Sequence, residues 1–496
     1  MVFIKEKKSP FIKHLSFFDV LMLSLGSSLG TGIFVLLGLG TEIAGYGFFF
    51  SFIIATFICL IIALNYAELG SSMTITGGPY SFVKESLGGI TAFYVGWLLW
   101  LGFLVYAALS AVAFMNYINY FIPMPVKDIP AIILVLFFTF INMRGIKKAK
   151  LVQNVMTLML LGIFLIYIIA GFSNLRNKEI KFFDGISSIF AATTLAFTCF
   201  LGFDSITFVA EEVKKPRNII LALVLAVLIP GTIYSLITLV TLNSVSHEKL
   251  INSSVPLFEM VKFNPYLLFL TLLAAIFATL SSLNISLVVA SRNAFALSRD
   301  GYMPKSLSLL SEKTKTPNLA LLFSSLFVIF FIATRGIEFM ANVACFGYII
   351  AFSLVSISLI ILREKRKFLP RPFKVPFYEL FAFLGFILPL ILLPFLESKA
   401  LFVGAVWMVI GFFVYCLHTL GVDRFRYAFA GINILIGILS LSFWYSVETG
   451  FPKVSLPARI FLSCTSLIIW AICFIAAVLF LKKLRLETEE EETGKG

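Results

Sequence analysis

The sequence predicts an all-α polytopic membrane protein, and three observations carry that expectation. Hydrophobic residues make up 60% of the 496 positions and charged residues only 13%, with a mean hydropathy of +1.00. That is far from the roughly 25% charged residues of a soluble globular domain. Apolar runs recur about 14 times, each near the ~20 residues a helix needs to cross a bilayer. The basic residues between the runs then fall unevenly on the two sides. In lipid each backbone must satisfy its own polar groups, so the runs are read as helices.

Taken in order, residues 1–18 mix Lys5, Lys7, Lys8 and Lys13 with few apolar residues. No short apolar core with a cleavage site of small residues follows, so the first helix is expected to be retained and not removed as a signal peptide. The first ten spans fall near 19–39, 47–70, 91–121, 129–143, 150–172, 187–210, 219–242, 266–291, 319–334 and 340–362. Four more follow near 378–396, 400–420, 427–447 and 460–481. The acidic tail, 482–496, closes the chain. With the N-terminus placed inside, 29 of the 39 Lys and Arg fall on inside segments and 10 outside. This bias predicts both termini in the cytoplasm and a multi-pass protein of the cell membrane. On this assignment no span holds a Lys or Arg.

Composition also sets functions aside. The net charge of +13 has its source in the inside loops and does not call for a nucleic-acid partner. Cys59, Cys199, Cys345, Cys416, Cys464 and Cys473 all lie in apolar runs without a Cys-x-x-Cys pair, so no zinc, redox or disulfide framework is expected. His14, His247 and His418 are scattered and show no ligand spacing.

Two spans are interrupted. The first reads Ser24-Leu25-Gly26-Ser27-Ser28-Leu29-Gly30-Thr31-Gly32-Ile33-Phe34 at its middle, and the sixth reads Phe197-Thr198-Cys199-Phe200-Leu201-Gly202-Phe203-Asp204. Glycines and hydroxyls hold a helix closed poorly, and opened backbone in a bilayer is tolerated only against protein or a water-filled cavity. Each break opens a block of five spans, 19–172 and 187–363. Five is odd, so the second block enters the membrane from the opposite side. Broken helices at matching places of two inverted halves point to a secondary transporter.

The chemistry follows from polarity. Free N–H groups at Gly30 to Gly32 lie at the positive end of a half-helix and suit a carboxylate. Carbonyls freed near Gly26 to Ser28 and near Phe197 to Phe200 suit an ammonium. An anion site beside a cation site matches a zwitterionic α-amino acid. The competing reading, helix packing through Gly26-x-x-x-Gly30, rests on a small-xxx-small pattern common between membrane helices.

These residues resemble the amino acid–polyamine–organocation (APC) superfamily of permeases. Gly30-Thr31-Gly32-Ile33-Phe34 is similar to its first-helix motif. Tyr66-Ala67-Glu68-Leu69-Gly70 with Gly77-Gly78-Pro79-Tyr80-Ser81-Phe82 resembles its Ala-Glu-Leu and Gly-Gly-x-Tyr signature. Gly202-Phe203-Asp204 followed by Glu211-Glu212-Val213 and Pro216 resembles the sixth-helix run, with Lys215 in place of the usual Asn. Ser291-Arg292 and Arg299-Asp300-Gly301 resemble the end of the eighth helix. About 14 spans, against the commoner twelve, look like the cationic amino acid transporter subgroup.

The resemblance implies a LeuT-type 5+5 inverted repeat with helices 1 and 6 broken, followed by four additional helices in 378–481. It implies a substrate carboxylate on Gly30, Thr31 and Gly32, and an ammonium among Ser27, Ser28, Phe197 and Thr198. Phe200 or Phe203 would cover the substrate as a gate. Some proton-coupled members carry a fifth-span lysine; the matching position falls near Leu160, and no span here has a lysine. Sodium-coupled relatives of the fold imply an ion site at Ala278, Ser281 and Ser282, with oxygen ligands that suit a hard cation. Coupling to Na+ or H+ is therefore left open, and no resident cofactor is expected.

Asp204 is the one carboxylate well inside a span near the breaks. It is a candidate partner for a cationic substrate group or for the coupled proton, or for its own unwound backbone. Glu68, Glu211 and Glu212, at span ends, are read as a gate or an ion-pair network with Lys214 and Arg217. The leading expectation is a secondary active amino acid transporter, by symport or exchange. A polyamine or organocation transporter of the same fold is the alternative, and a transport-inactive sensor a further one. A sensor would be expected to lose the Gly30–Gly32 opening, which this chain keeps. An integral-membrane enzyme would show clustered acids or histidines, and a channel a charge ring or a repeated carbonyl filter; neither pattern is present. The side-chain class of the substrate and the oligomeric state are not set by the sequence.

Overall fold

The computed structural model describes residues 13–74, 77–123, 128–173, 185–253, 255–334 and 336–419. All regular structure among them is helical, apart from one isolated bridge between Leu15 and Val213. The helices are α1 (Phe17–Ser28), α2 (Gly32–Ala44), α3 (Gly47–Ser72), α4 (Gly78–Leu87), α5 (Gly89–Phe121), α6 (Asp128–Met143) and α7 (Ile146–Ser173). Then come α8 (Ile186–Thr198), α9 (Ser205–Phe208), α10 (Arg217–Ser244), α11 (His247–Ile251), α12 (Pro256–Val261) and α13 (Pro265–Arg299). The last four are α14 (Asn318–Ile332), α15 (Ile337–Lys365), α16 (Tyr378–Leu392) and α17 (Ser398–Thr419).

Each of the first twelve expected spans coincides with helix, the first as α1 and α2 and the sixth as α8 and α9. Among the described residues nine helical runs are long and apolar enough to cross a membrane; 128–143, 186–198 and 318–332 are shorter apolar helices. The spans expected at 427–447 and 460–481 and the tail lie outside the described residues. Three short helices were not foreseen: α4, and the pair α11 and α12 between α10 and α13.

Local signals explain the ends. Ser16 and Asp19 form a reciprocal capping box at the start of α1, with N–H to oxygen distances of 3.0 and 3.3 Å. Asp19 also accepts from the Asn154 amide of α7 at 2.9 Å. Inside α10, Pro230 lacks an N–H, which releases the carbonyl four residues earlier. That carbonyl, Ala226 O, accepts the Ser28 hydroxyl at 3.1 Å. The proline therefore ties α10 to the edge of the first break.

The described residues of 13–298 with those of 305–396 cluster as one unit. Its interior is the first helical run and α5: in both, 89% of the most apolar stretch is buried, against 22% for the run containing α16. Around them α10 packs on α3 and α1, α15 on α5, α8 on α2 and α3, and α7 on α1. Just before α1 the chain runs beside the segment that follows α9. His14 and Leu15 N–H donate to Glu212 O at 3.0 Å each, and Lys214 N–H donates to Leu15 O at 3.0 Å. Residues 299–304 and the described residues 397–419 cluster separately, and there Tyr302 stacks on Tyr415 at 5.4 Å between ring centroids.

Candidate functional site

The two interruptions meet. Helix α1 stops at Ser28 and α2 starts at Gly32; α8 stops at Thr198, and turns carry the chain to α9 at Ser205. A Cβ added at Gly32 would lie 2.6 Å from Cys199 Sγ and 2.9 Å from Cys199 Cα, so only glycine lets these backbones touch. Gly202, at φ +101°, is in the region that favours glycine, and a Cβ there would also meet Ser27 Cβ at 3.0 Å. The Ser205 hydroxyl donates to Ser27 Oγ at 3.0 Å.

At the first break, no acceptor among the described residues takes the N–H groups of Thr31, Gly32 or Ile33. Three adjacent donors thus stand at the start of α2. The Thr31 hydroxyl donates to Ser110 Oγ at 3.0 Å and does not cap the N–H groups of the first turn of α2. The position a Cβ of Gly30 would take is 2.6 Å from Tyr106 Oη and is also crowded by Ser282 Oγ. Tyr106 Oη and Ser282 Oγ are buried there, with no hydrogen-bond partner beyond each other.

The carbonyl side differs from expectation. Phe197 O accepts Phe200 N–H at 3.0 Å and Thr198 O accepts Leu201 N–H at 3.2 Å. The chain leaves α8 through i-to-i+3 turns, which use carbonyls expected to be unpaired. The Thr198 hydroxyl bonds Thr194 O at 3.0 Å. Ser28 is committed as well: its hydroxyl donates to Ser24 O and Ala226 O, and its carbonyl accepts Tyr234 Oη at 2.7 Å. Each carbonyl keeps a second lone pair, so a further donor can still approach, but none of these oxygens is bare.

Phe200 and Phe203 are fully buried in protein, on different neighbours. Phe200 meets Tyr234 edge-on at 5.9 Å; Phe203 lies 5.3 Å from Phe352 and 6.2 Å from Tyr66. Asp204, between them and α9, is fully buried, and neither carboxylate oxygen has a hydrogen-bond partner. The hydroxyls of Tyr66 and Tyr348 also lack hydrogen-bond partners.

The residues expected to form an ion site face different neighbours. Ser281 faces Gly26, donating to its carbonyl at 2.7 Å, whereas Ser282 faces Gly30 and Tyr106. Ala278 is buried one turn before Ser281 and Ser282 on α13. From α7, Gln153 and Thr157 reach the break: Gln153 Nε2 donates to Ser281 Oγ and, at 3.2 Å, to Thr157 Oγ1. Leu160, the expected position, is an apolar core residue two turns further along. Sequence reasoning missed Gln153; its one signal is an amide in an otherwise apolar span.

Of the acids at the span ends, Glu68 and Glu212 find partners other than Lys214 and Arg217, which are exposed. Glu68 takes Arg363 in two bonds of 2.8 and 2.6 Å, Arg371 at 3.3 Å and Val375 N–H at 2.7 Å. Glu212 pairs with Arg292 at 2.8 Å, both 3% exposed. Helix α13 runs past residue 291, so the expectation of no buried Arg in a span is corrected: Arg292 is buried on a helix continuous with the eighth. Burial raises the Glu212 carboxyl above the usual carboxylate range, against the pull of Arg292.

A family description, amino acid permease, matches residues 15–417. The chain belongs to the amino acid permease family. The APC resemblance of its motifs is thus established, and the family is one of membrane transporters, not enzymes. The permease is 28% identical over 432 residues to the branched-chain amino acid permease BcaP of Bacillus subtilis (strain 168), covering 82% of this chain and 93% of that protein. It is 27% identical over 439 residues to the methylthioribose transporter of the same organism, covering 84% and 95%. It is 27% identical over 373 residues to the vacuolar cationic amino acid transporter 2 of Arabidopsis thaliana, covering 69% and 58%.

Proposed function

We propose that the permease is a secondary active transporter that moves an α-amino acid across the cell membrane by alternating access, through ion-coupled symport or exchange. The observation that carries this reading is the junction of the two breaks. Three neighbouring N–H groups without acceptors stand at the start of α2, beside Tyr106 Oη, Ser282 Oγ and the first-break carbonyls. Donors aligned with a half-helix dipole suit the substrate carboxylate at Gly30, Thr31 and Gly32. Carbonyls at Ser27, Ser28, Phe197 and Thr198 present second lone pairs to the ammonium. Phe200 and Phe203 are the gate candidates, and Asp204 the acid for a cationic group or a coupled proton.

The architecture that goes with this reading is the LeuT-type 5+5 inverted repeat over 19–172 and 187–363. About 14 transmembrane helices, four of them in 378–481, and cytoplasmic termini at 1–18 and 482–496 complete it. The bundle of the first, second, sixth and seventh spans would rock against the rest around the junction. Two relatives whose names specify branched-chain and cationic amino acids favour an amino acid over a polyamine as cargo. The test is uptake of labelled amino acids and polyamines into proteoliposomes under imposed proton and sodium gradients. Saturable amino acid uptake is expected; none under any gradient or counter-substrate would refute the proposal.

A further inference from the structure

The polar cluster behind the first break obeys a donor count that points to one residue. Ser281 Oγ spends its only proton on Gly26 O at 2.7 Å, and Thr157 Oγ1 spends its own on Met22 O at 3.3 Å. Both hydroxyls then offer only lone pairs inward. Gly26 has no side chain to intervene: a Cβ there would crowd Gln153 Nε2, Thr157 Oγ1 and Ser281 Oγ. Such an arrangement of inward lone pairs is met by a bound cation, a water or a side chain with two N–H groups. Gln153 is that side chain. Its Nε2 donates to both hydroxyls, and Asn284 Nδ2 donates to its Oε1 at 3.4 Å, which fixes the amide orientation. Ser281 and Gln153 are completely buried.

We propose that the Gln153 amide substitutes for a coupling cation at this position, so that the cluster of α1, α7 and α13 holds the first break without sodium. The proposal rests on the transporter reading above and narrows its coupling: sodium is not bound where Ser281 meets Gly26. Gln153 is here a positioning residue, acting on the break through Ser281 and Thr157. It also makes a specific conversion available. Gln153→Glu keeps the shape but replaces the two N–H donors by a carboxylate oxygen. The inward set then becomes a carboxylate and two hydroxyls, all oxygen ligands of the kind hard cations take.

Two measurements test this on the full-length protein. In detergent, the wild-type melting temperature is followed while sodium chloride replaces choline chloride at constant ionic strength, up to about 100 mM; a bound ion would raise it by mass action. No shift is expected, and a rise of several degrees that Ser281→Ala abolishes would overturn the proposal. In proteoliposomes, wild-type uptake of the best labelled amino acid should be the same in sodium and choline within about twofold, whereas Gln153→Glu should gain about fivefold or more stimulation by sodium. Sodium-driven wild-type uptake, or a folded Gln153→Glu variant as indifferent to sodium as the wild type, would refute it. The melting arm needs no substrate, so a failure of amino acid transport altogether sinks the transporter reading and leaves the cation question decided separately.

Discussion

Replacing Gly32 by alanine adds one methyl where the two breaks press together. That methyl would sit 2.9 Å from Cys199 Cα and 3.0 Å from Cys199 Cβ. Carbon atoms rest at about 3.5–4.0 Å, so one backbone must retreat by roughly 0.6–1 Å. Neither can do so cheaply. Cys199 is fully buried, its N–H is tied to Ala196 O at 3.0 Å, and the following turns are pinned through Ser205 to Ser27. Overpacking of this kind costs about 1–3 kcal/mol. A displacement near 1 Å at a positioning site can lower rate by up to about 100-fold. The assay is paired: thermal unfolding in detergent and initial uptake rate in proteoliposomes, with Gly162→Ala as control. Gly162, in α7, has nothing within 4 Å of its would-be Cβ, and alanine there should be neutral or slightly stabilising. The expected result is a lowered melting temperature and at least tenfold slower uptake for Gly32→Ala alone, a margin set by the same displacement argument. Equal behaviour of the two variants would refute the claim that the breaks are in contact at this residue.

Gly30→Val should abolish amino acid binding while the protein still runs as a single species in detergent, because the added carbons enter the space against Tyr106 Oη and Ser282 Oγ; full binding would reject the carboxylate site. Asp204→Asn removes an ionisable group from a buried place where the carboxylate meets no other side chain's donor, so melting should hold or rise while uptake falls about tenfold or more; unchanged uptake would make Asp204 structural. Glu68→Gln breaks the centre of the Arg363–Arg371–Val375 grip, and removing one partner of a buried pair should cost about 3–5 kcal/mol, read as a loss of thermal stability. Tyr234→Phe removes the donor to Ser28 O and should cost about 1 kcal/mol, with uptake changed more than stability if the break must stay in register.

The breaks were legible in the sequence because their causes are local. Gly30-Thr31-Gly32 and Gly202 announce themselves by residue type, and the structure opens the helices at both places. What the broken ends bond to was not legible. Whether Phe197 and Thr198 carbonyls stay open depends on which turn the chain takes after α8, and α-helix and 3-10 turn differ there by one residue of hydrogen-bond register. Gln153 was hidden because its role is set by Ser281 and Gly26, 128 residues later on the chain in one case and on another helix in both. Arg292 looked like a loop cation because a buried arginine is permitted only by its partner, and Glu212 lies on a different element. The partner of the Ser28 hydroxyl was hidden for the same reason: Ala226 O is released by Pro230 on another helix.

The strand-like pairing of His14 and Leu15 with Glu212, Val213 and Lys214 has a mechanical consequence. It joins the chain just ahead of α1 to the segment just past α9, with Gly30 and Gly202 on the far side of each. The two ruptured helices are therefore yoked at one end, and whatever rotates one carries the other. Traction applied at His14 and Leu15 would be delivered to both at once. That stretch is thus a handle by which the pair can be pulled, spin-labelled or held still while the rest of the molecule moves.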